Sequence, residues 1–539
     1  MKNSIIILCQ DIKLDREHNN VLTYTESQMV ELCYAKEITH SNTYSFIKSS
    51  KNEIEVDFTY AQCLRANYIA FQNPTYSNKW FFAFIDSIEY RNNLTTRIKY
   101  TVDLFATWFD YWDPSPCFVL REHTNDDTVG SNTLNEGLEL GDYIVNSVGA
   151  IETDLEICDM CVGVTWLPDN TPFSSQYRTY GRVYSGLYYL LFKSTESLYK
   201  FVRAIDDIGR DSGATIVNIF PIPTILSGVQ PSDSRWFTAD LGNQTDITAC
   251  VLPNLTYRVL RDSNISLPLN STLEGYTPKN NKLYCFPYNY LMITNNAGIT
   301  GEYHYEDFIN NAPLFTLVGT ITPQNSIMLY PNNYKKNGHG GYQYGIPVAK
   351  YPQGSWNNDN YTNWLTSNGI NILGNIIDSP TSHAIGGSLQ ALTSAITGDY
   401  AGIGQGIGGM LGATQESYKA SRIPNTVSGQ LNSGDIQFAY GQMSPRYYKM
   451  SIRGEIARKI DDWFSRFGYK TNRIKYPNQT GRLNYNFVQI GNTENIGYSV
   501  SGVPTDAMEY INRLYRRGIT LWHSHDNLGN YSVTNTIVS

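Results

Sequence analysis

Apolar and polar positions along this chain fall into many short apolar or aromatic runs between polar turns, with a helical period in only a few places. Ile5–Leu8 is a first apolar run. Glu53–Phe58 alternates cleanly, and the two aromatic, β-branched stretches Trp80–Tyr90 and Arg97–Trp108 flank the turn residues Asn92 and Asn93. That pattern predicts a long β-hairpin. Cys117–Glu122 reads as a strand entering a polar loop from His123 to Gly137, and strands resume near Tyr143, Val162–Trp166 and Leu187–Phe192. A helix is predicted from Thr195, with Leu198, Phe201, Val202, Ile205 and Ile208 on one face, followed by a strand over Ala214–Pro221. Leu283–Ile293 is a strong apolar-aromatic run, and residues 331–369 show no period. Ile436–Met450, Asn484–Ile490 and Ile519–Trp522 read as strands. Two amphipathic helices lie among them. Ser451–Phe467 carries Ile452, Ile456, Ile460, Trp463 and Phe467, and stops at Gly468. Pro504–Arg516 carries Met508, Ile511, Leu514 and Tyr515, and stops at Gly518. The pattern predicts a mainly β protein with a few helices, α+β in class.

One stretch departs from everything around it. Between Ser379 and Gln415 the only fully charged side chain is Asp399. Ile385, Leu389, Leu392 and Ile396 share a helical face, and Ile403, Ile407, Met410 and Leu411 continue the pattern beyond a turn at Gly398–Asp399. Gly398, Gly402 and Gly406 recur every four residues, as do Gly404, Gly408 and Gly412. That spacing lets helices approach closely, as in membrane dimers. Glycine costs a helix interior about 1 kcal/mol per residue, so the second run needs a packing partner or a bilayer. Neither run has the roughly 20 apolar residues of a spanning helix. Two arrangements satisfy the pattern: a hairpin acting as a fusion peptide does, or a buried core hairpin in a large domain.

Composition narrows the classes. The 539 residues suffice for two to four domains. Five segments are expected: β-rich 1–115, α+β 116–325, a Gly/Asn/Tyr-rich connection 326–369, the apolar Gly-rich insertion 370–434, and a β/helix segment 435–539. The net charge of -8 argues against a surface built to grip nucleic acid. The first apolar run ends at Gln10 and Asp11, shorter than a secretory signal, and the eight cysteines show no repeated spacing. Free, buried thiols and synthesis in a reducing cytoplasm are expected.

Candidate chemistry is sparse. Cys158-Asp159-Met160-Cys161 has redox or half-zinc spacing but no second CxxC to complete it. His523 and His525 share a strand face without further ligands nearby. Asp359 among Trp356, Tyr361 and Trp364 suggests a sugar cleft, although glycosidic chemistry uses two carboxylates. No GxSxG, HExxH, P-loop or dinucleotide motif is present. The reading is of a protein that is not an enzyme, with no metal and no cofactor.

Several stretches in order carry a resemblance: WFFAFIDSIEYRNNLTTRIKYTVDLFATW, CFVLREHTNDDTVGSNTLNEGLELGDY, FPYNYL and YPQGSWNNDNYTNWL just ahead of the insertion. Together they resemble the tail knob, or distal tail tube, proteins of small podoviruses of the Bacillus phage phi29 type, over nearly the whole length. The resemblance implies a homohexameric ring or tube of β-barrel-like domains at the tip of the virion tail, made in the bacterial host cytoplasm. It implies contacts with tail collar, tube and tip proteins, and phage DNA passing through the lumen without sequence-specific binding. It also implies long hydrophobic loops that plug the channel and later act on the host cytoplasmic membrane. A receptor-binding or cell-wall-degrading tail protein is the alternative, with the 331–369 loops holding a glycan.

Overall fold

The computed structural model describes the chain from Ser4 to Val538, apart from residues 45–51, 75–76, 154, 156, 168–178, 181–182, 185, 210–214, 228, 230–231, 253, 256–264, 320–325, 336–343, 352, 358–427, 433–443, 493–496 and 500–501. The chain divides into two compact units. One comprises residues 1–142, 275–287 and 452–539; the other comprises 143–274 and 288–451. β-Strands dominate both.

The first unit is built from both ends of the chain. A six-stranded antiparallel sheet runs in the order Glu37–Tyr44, Ser4–Cys9, Tyr68–Asn73, Lys79–Asn92, Thr95–Val102, Glu53–Val56. The expected hairpin is present, but its second arm stops at Val102. Asp103 then caps a short helix, Leu104–Trp108, by accepting from the Ala106 N–H at 2.8 Å. An aspartate ahead of an apolar run is an N-cap signal that the aromatic β pattern concealed. A five-stranded sheet runs Asn20–Leu22, Ile519–Trp522, Tyr485–Ile490, Cys117–Glu122, Tyr469–Lys475. Its first pair is parallel and joins the two ends of the chain, with Val21 opposite Leu521.

The two helices predicted near the C-terminal end form within a few residues of expectation, but one turns a different face inward. Gly454–Phe467 buries Ala457, Ile460, Asp461 and Phe464, while Trp463 is 39% exposed. The apolar positions alone rotate the predicted face away from the true one, because the true face includes a charged residue. Helix Thr505–Arg517 buries Ala507, Ile511, Asn512, Leu514 and Tyr515.

The second unit centres on a seven-stranded sheet in the order Trp236–Leu241, Gln244–Leu252, Tyr188–Phe192, Cys158–Val164, Ile216–Pro223, Gln353–Asn357, Ser428–Asn432. The predicted β–helix–β unit is present. Ser194, rather than Thr195, caps the helix Thr195–Asp207. The two strands of that unit are not neighbours, since Cys158–Val164 lies between them, antiparallel to both. One core layer places Leu198, Phe201, Val202 and Ile205 of the helix against Met160, Val162, Leu190 and Ile247. A second layer joins Cys161, Leu191, Phe220 and Ile222 to Leu291, Ile293, Phe315, Leu317 and Leu329 of two four-stranded sheets. The stretch 331–369 is less irregular than its sequence suggests, for it contributes the strands Ile346–Lys350 and Gln353–Asn357.

Candidate functional site

Two places bear on function. The first is the root of the uncharged tract. Gln353–Asn357 pairs antiparallel with Ser428–Asn432, from Gln353 opposite Asn432 to Asn357 opposite Ser428. Gln353–Asn357 in turn pairs with Ile216–Pro223, through Asn218 opposite Ser355. The chain therefore leaves this ladder at Asn357 and rejoins it at the directly opposed Ser428. The strand Ser428–Asn432 lies inside the segment 370–434 expected as the insertion. Ile385, Leu389, Leu392, Ile396, Asp399, Ile403, Ile407, Met410, Leu411 and the six glycines of the tract lie outside the described residues, as does Asp359.

The second place is a buried polar clamp in the first unit, formed by the polar stretch 117–142 and residues 275–287. The Glu136 side chain is wholly buried and forms ion pairs with both Arg121 and Lys282. It also accepts from the Lys470 N–H at 3.0 Å. Lys282 donates further to the Leu134 carbonyl at 2.8 Å. Burial pulls the Lys282 ammonium down, and the Glu136 carboxylate works against that. Asp461 accepts from the Tyr276 hydroxyl at 2.7 Å, and from the Lys279 and Asn280 N–H groups at 2.6 and 3.1 Å. Asp127 binds the Tyr469 hydroxyl and accepts from the Asn281 N–H at 3.1 Å. Burial raises the Asp127 carboxyl, with the Tyr469 hydrogen bond opposing. Glu122 pairs with Lys475 and accepts from the Asn478 N–H at 2.8 Å.

His123, beside these groups, stays neutral. Burial and the nearby Arg482 push it down to about 3. Its Nδ1 accepts from the Phe487 N–H at 2.8 Å, so Nε2 carries the proton and donates to the Ser465 carbonyl at 3.1 Å. Gly468 closes the adjacent helix at φ +64°, and a Cβ there would collide with the Glu122 carbonyl.

The acids of this clamp escaped the sequence reading, which took 123–137 as an open polar loop. Asp461 carried a signal: it falls on the same helical face as Ala457, Ile460 and Phe464.

The other candidates take structural places. Cys158–Val164 is buried along its whole length, and the Cys158 thiol points to the Leu155 carbonyl at 3.4 Å. His523 contacts the Thr23 hydroxyl at 3.0 Å and Asn486 Oδ1 at 3.1 Å. His525 accepts from the Lys13 N–H at 3.2 Å. Among the described residues no group of three or more His, Cys, Asp or Glu is placed to hold a metal. No helix among them is long and apolar enough to cross a membrane.

These groups spend their polar atoms on holding segments together, as a structural protein does. Residues 2–112 match the family model of the caudoviral major tail protein N-terminus, which places the chain among phage tail proteins. Residues 254–536 match the model of the C-terminal domain of the tail knob protein gp9 of Bacillus phage phi29, and the chain belongs to that tail knob family. It is 25% identical to the tail knob protein gp9 of Bacillus phage phi29 over 563 aligned positions, covering 92% of this chain and 91% of the relative. The tail knob protein gp9 of Bacillus phage B103 is 23% identical, with 91% of each chain covered. The solved structure of the bacteriophage C1 tail knob protein gp12 shares the fold, with a TM-score of 0.60 at 15% identity over 99% of this chain and 100% of that one. The protein is a structural component of the virion tail tip, β-rich and non-enzymatic, working beside other tail proteins.

Proposed function

We propose that six copies of this chain form the distal tube and knob of a short phage tail, and that the genome passes through its lumen. The insertions, expected from residue 370 and returning to the body at Ser428, plug that lumen before infection and then insert into the host cytoplasmic membrane. The observation that carries this reading is the root of the insertion. A ladder at the edge of a sheet brings Asn357 and Ser428 opposite each other, and a tract with one full charge between Ser379 and Gln415 lies between them. A segment whose two ends meet can leave its body without unravelling it. Kinship to tail knob proteins along nearly the whole chain supports the tube. The hairpin Lys79–Asn92/Thr95–Val102 is the wall element in this reading, and acidic and neutral side chains line the lumen, since a sliding polyanion must not stick.

Deleting Asp378–Asn425 tests the reading. The shortened protein is expected to stay soluble, melt as before and form six-fold rings in electron micrographs. Precipitation on deletion would make the tract core, and a monomer at micromolar concentration would remove the tube. Dye leakage from liposomes tests the membrane step. An aspartate at a bilayer-embedded helix centre costs about 2.5–3.5 kcal/mol, so leakage should strengthen as pH falls. Asp399→Asn should raise leakage at neutral pH and flatten the response. Intact liposomes at every pH would confine the tract to plugging the channel.

A further inference from the structure

Cys9 ends the strand Ser4–Cys9, and Cys33 lies on the inner face of the helix Glu26–Ala35, which packs against that strand. Both side chains are fully buried. The Cys9 thiol reaches the Cys33 carbonyl at 3.5 Å. The neighbouring Cys33 is also the foremost cause that pushes the Cys9 thiol up, followed by burial. No second sulfur contributes to the raised thiols of Cys63, Cys161 or Cys250, where burial is the foremost cause. The protein is made in a cell and ends in a virion tail tip, which passes from a reducing to an oxidising medium. We infer that Cys9 and Cys33 are a matched dithiol that closes to a disulfide once the virion has left the cell.

The chemistry balances with a small disulfide, RSSR, as oxidant. One cysteine thiolate attacks RSSR, forming a mixed disulfide and expelling RS⁻. The second cysteine thiolate then displaces the remaining RS⁻ and forms the Cys9–Cys33 bond. Two electrons pass to RSSR, and the two cysteine protons end on two RSH. Burial disfavours the thiolate, so the reaction waits for the helix to lift. That helix is tied down at its N-terminal end, where Thr25 and Gln28 form a capping box, Lys79 pairs with Glu26 at 2.9 Å, and the Glu26 N–H donates to Asp110 at 3.0 Å. Closure is therefore slow in the native protein and accelerated by low denaturant.

The test uses full-length protein purified under reductant and then held in oxidised glutathione. Non-reducing peptide mapping should find Cys9 joined to Cys33. The melting temperature should rise by about 5–10 °C, the effect of closing a loop of this length. Cys33→Ala should show neither the link nor the rise. Two thiols that stay free to alkylation after unfolding would overturn the inference. So would a link from either residue to another cysteine, or glutathione adducts without a link. Mapping of the unmodified protein decides the matter even if the variant does not fold.

Discussion

Asp159 is the sharpest place to test the energetics of the second unit. It sits in the sheet strand Cys158–Val164, opposite Ile222. It is 4% exposed, and its Oδ2 has no hydrogen-bond partner among the described residues. Burial pushes its carboxyl from 3.8 up to about 6, with a Thr224 hydrogen bond and the Lys193 charge opposing. A folded form with the higher value holds its proton more tightly than the unfolded chain. The fold therefore loses stability as pH rises through the window from 3.8 to about 6, and the loss persists above it. The full loss is about 3 kcal/mol at about 1.36 kcal/mol per unit. Roughly half has accrued by about pH 5, which leaves about 1.4 kcal/mol between about pH 5 and pH 8. Asp159→Asn abolishes the titration and keeps an acceptor for Thr224. Its amide group takes the place of the unpartnered oxygen at a cost that does not vary with pH, so the comparison across pH isolates the carboxyl. Urea unfolding followed by tryptophan fluorescence gives the measurement, with Trp236, 4.1 Å from the Lys193 ammonium, among the reporters. The variant should gain about 1.4 kcal/mol on the parent between about pH 5 and pH 8. An identical difference at both pH values would refute a buried, titrating carboxyl.

In the first unit, Glu136→Ala strands Lys282 and Arg121 and should lower stability by about 3–5 kcal/mol; adding Lys282→Met should recover part of it, read by thermal melting. His18 pairs with Asp103 at 2.9 Å and contacts the Tyr510 hydroxyl at 2.7 Å. Burial opposes its charge, but Asp103, Asp15 and the Arg16 backbone together outweigh burial and the imidazole rises above 6.5. The stabilisation it supplies is full below 6.5 and lost as pH climbs through the raised value, and His18→Gln should flatten that slope in melting experiments. Gly468→Ala combines backbone strain of about 1–3 kcal/mol with a clash against the Glu122 carbonyl, and should sharply cut soluble yield.

Elements with one dominant period were legible in the sequence. The arms of the hairpin at 79–102 announce themselves by aromatic and β-branched runs on either side of turn residues, and the helix at 195–207 because it buries a single apolar face. The reading failed where burial is polar. Glu136 and Asp461 are buried by partners 146 and 181 residues away in sequence, Lys282 and Asn280. No local pattern encodes such pairings. The ladder beside Asn357 was hidden for a related reason: Ser428–Asn432 has neither alternation nor β-branched residues, and gains its strand from the neighbour it meets. The apolar tract was visible because its oddity is one of composition, which needs no partner to be seen.

The parallel pairing of Asn20–Leu22 with Ile519–Trp522 has a consequence for synthesis. The Thr23 hydroxyl donates to the Trp522 carbonyl across 499 residues of chain. At a translation rate of about 5–20 residues per second, the N-terminal strand waits roughly 25–100 s on the ribosome for its partner. Throughout that interval its edge is open and the first unit is unfinished. A chain released before Ile519 never closes this sheet. A length check is thus written into the fold itself, since a copy cut short in translation lacks the strand that Asn20–Leu22 pairs with.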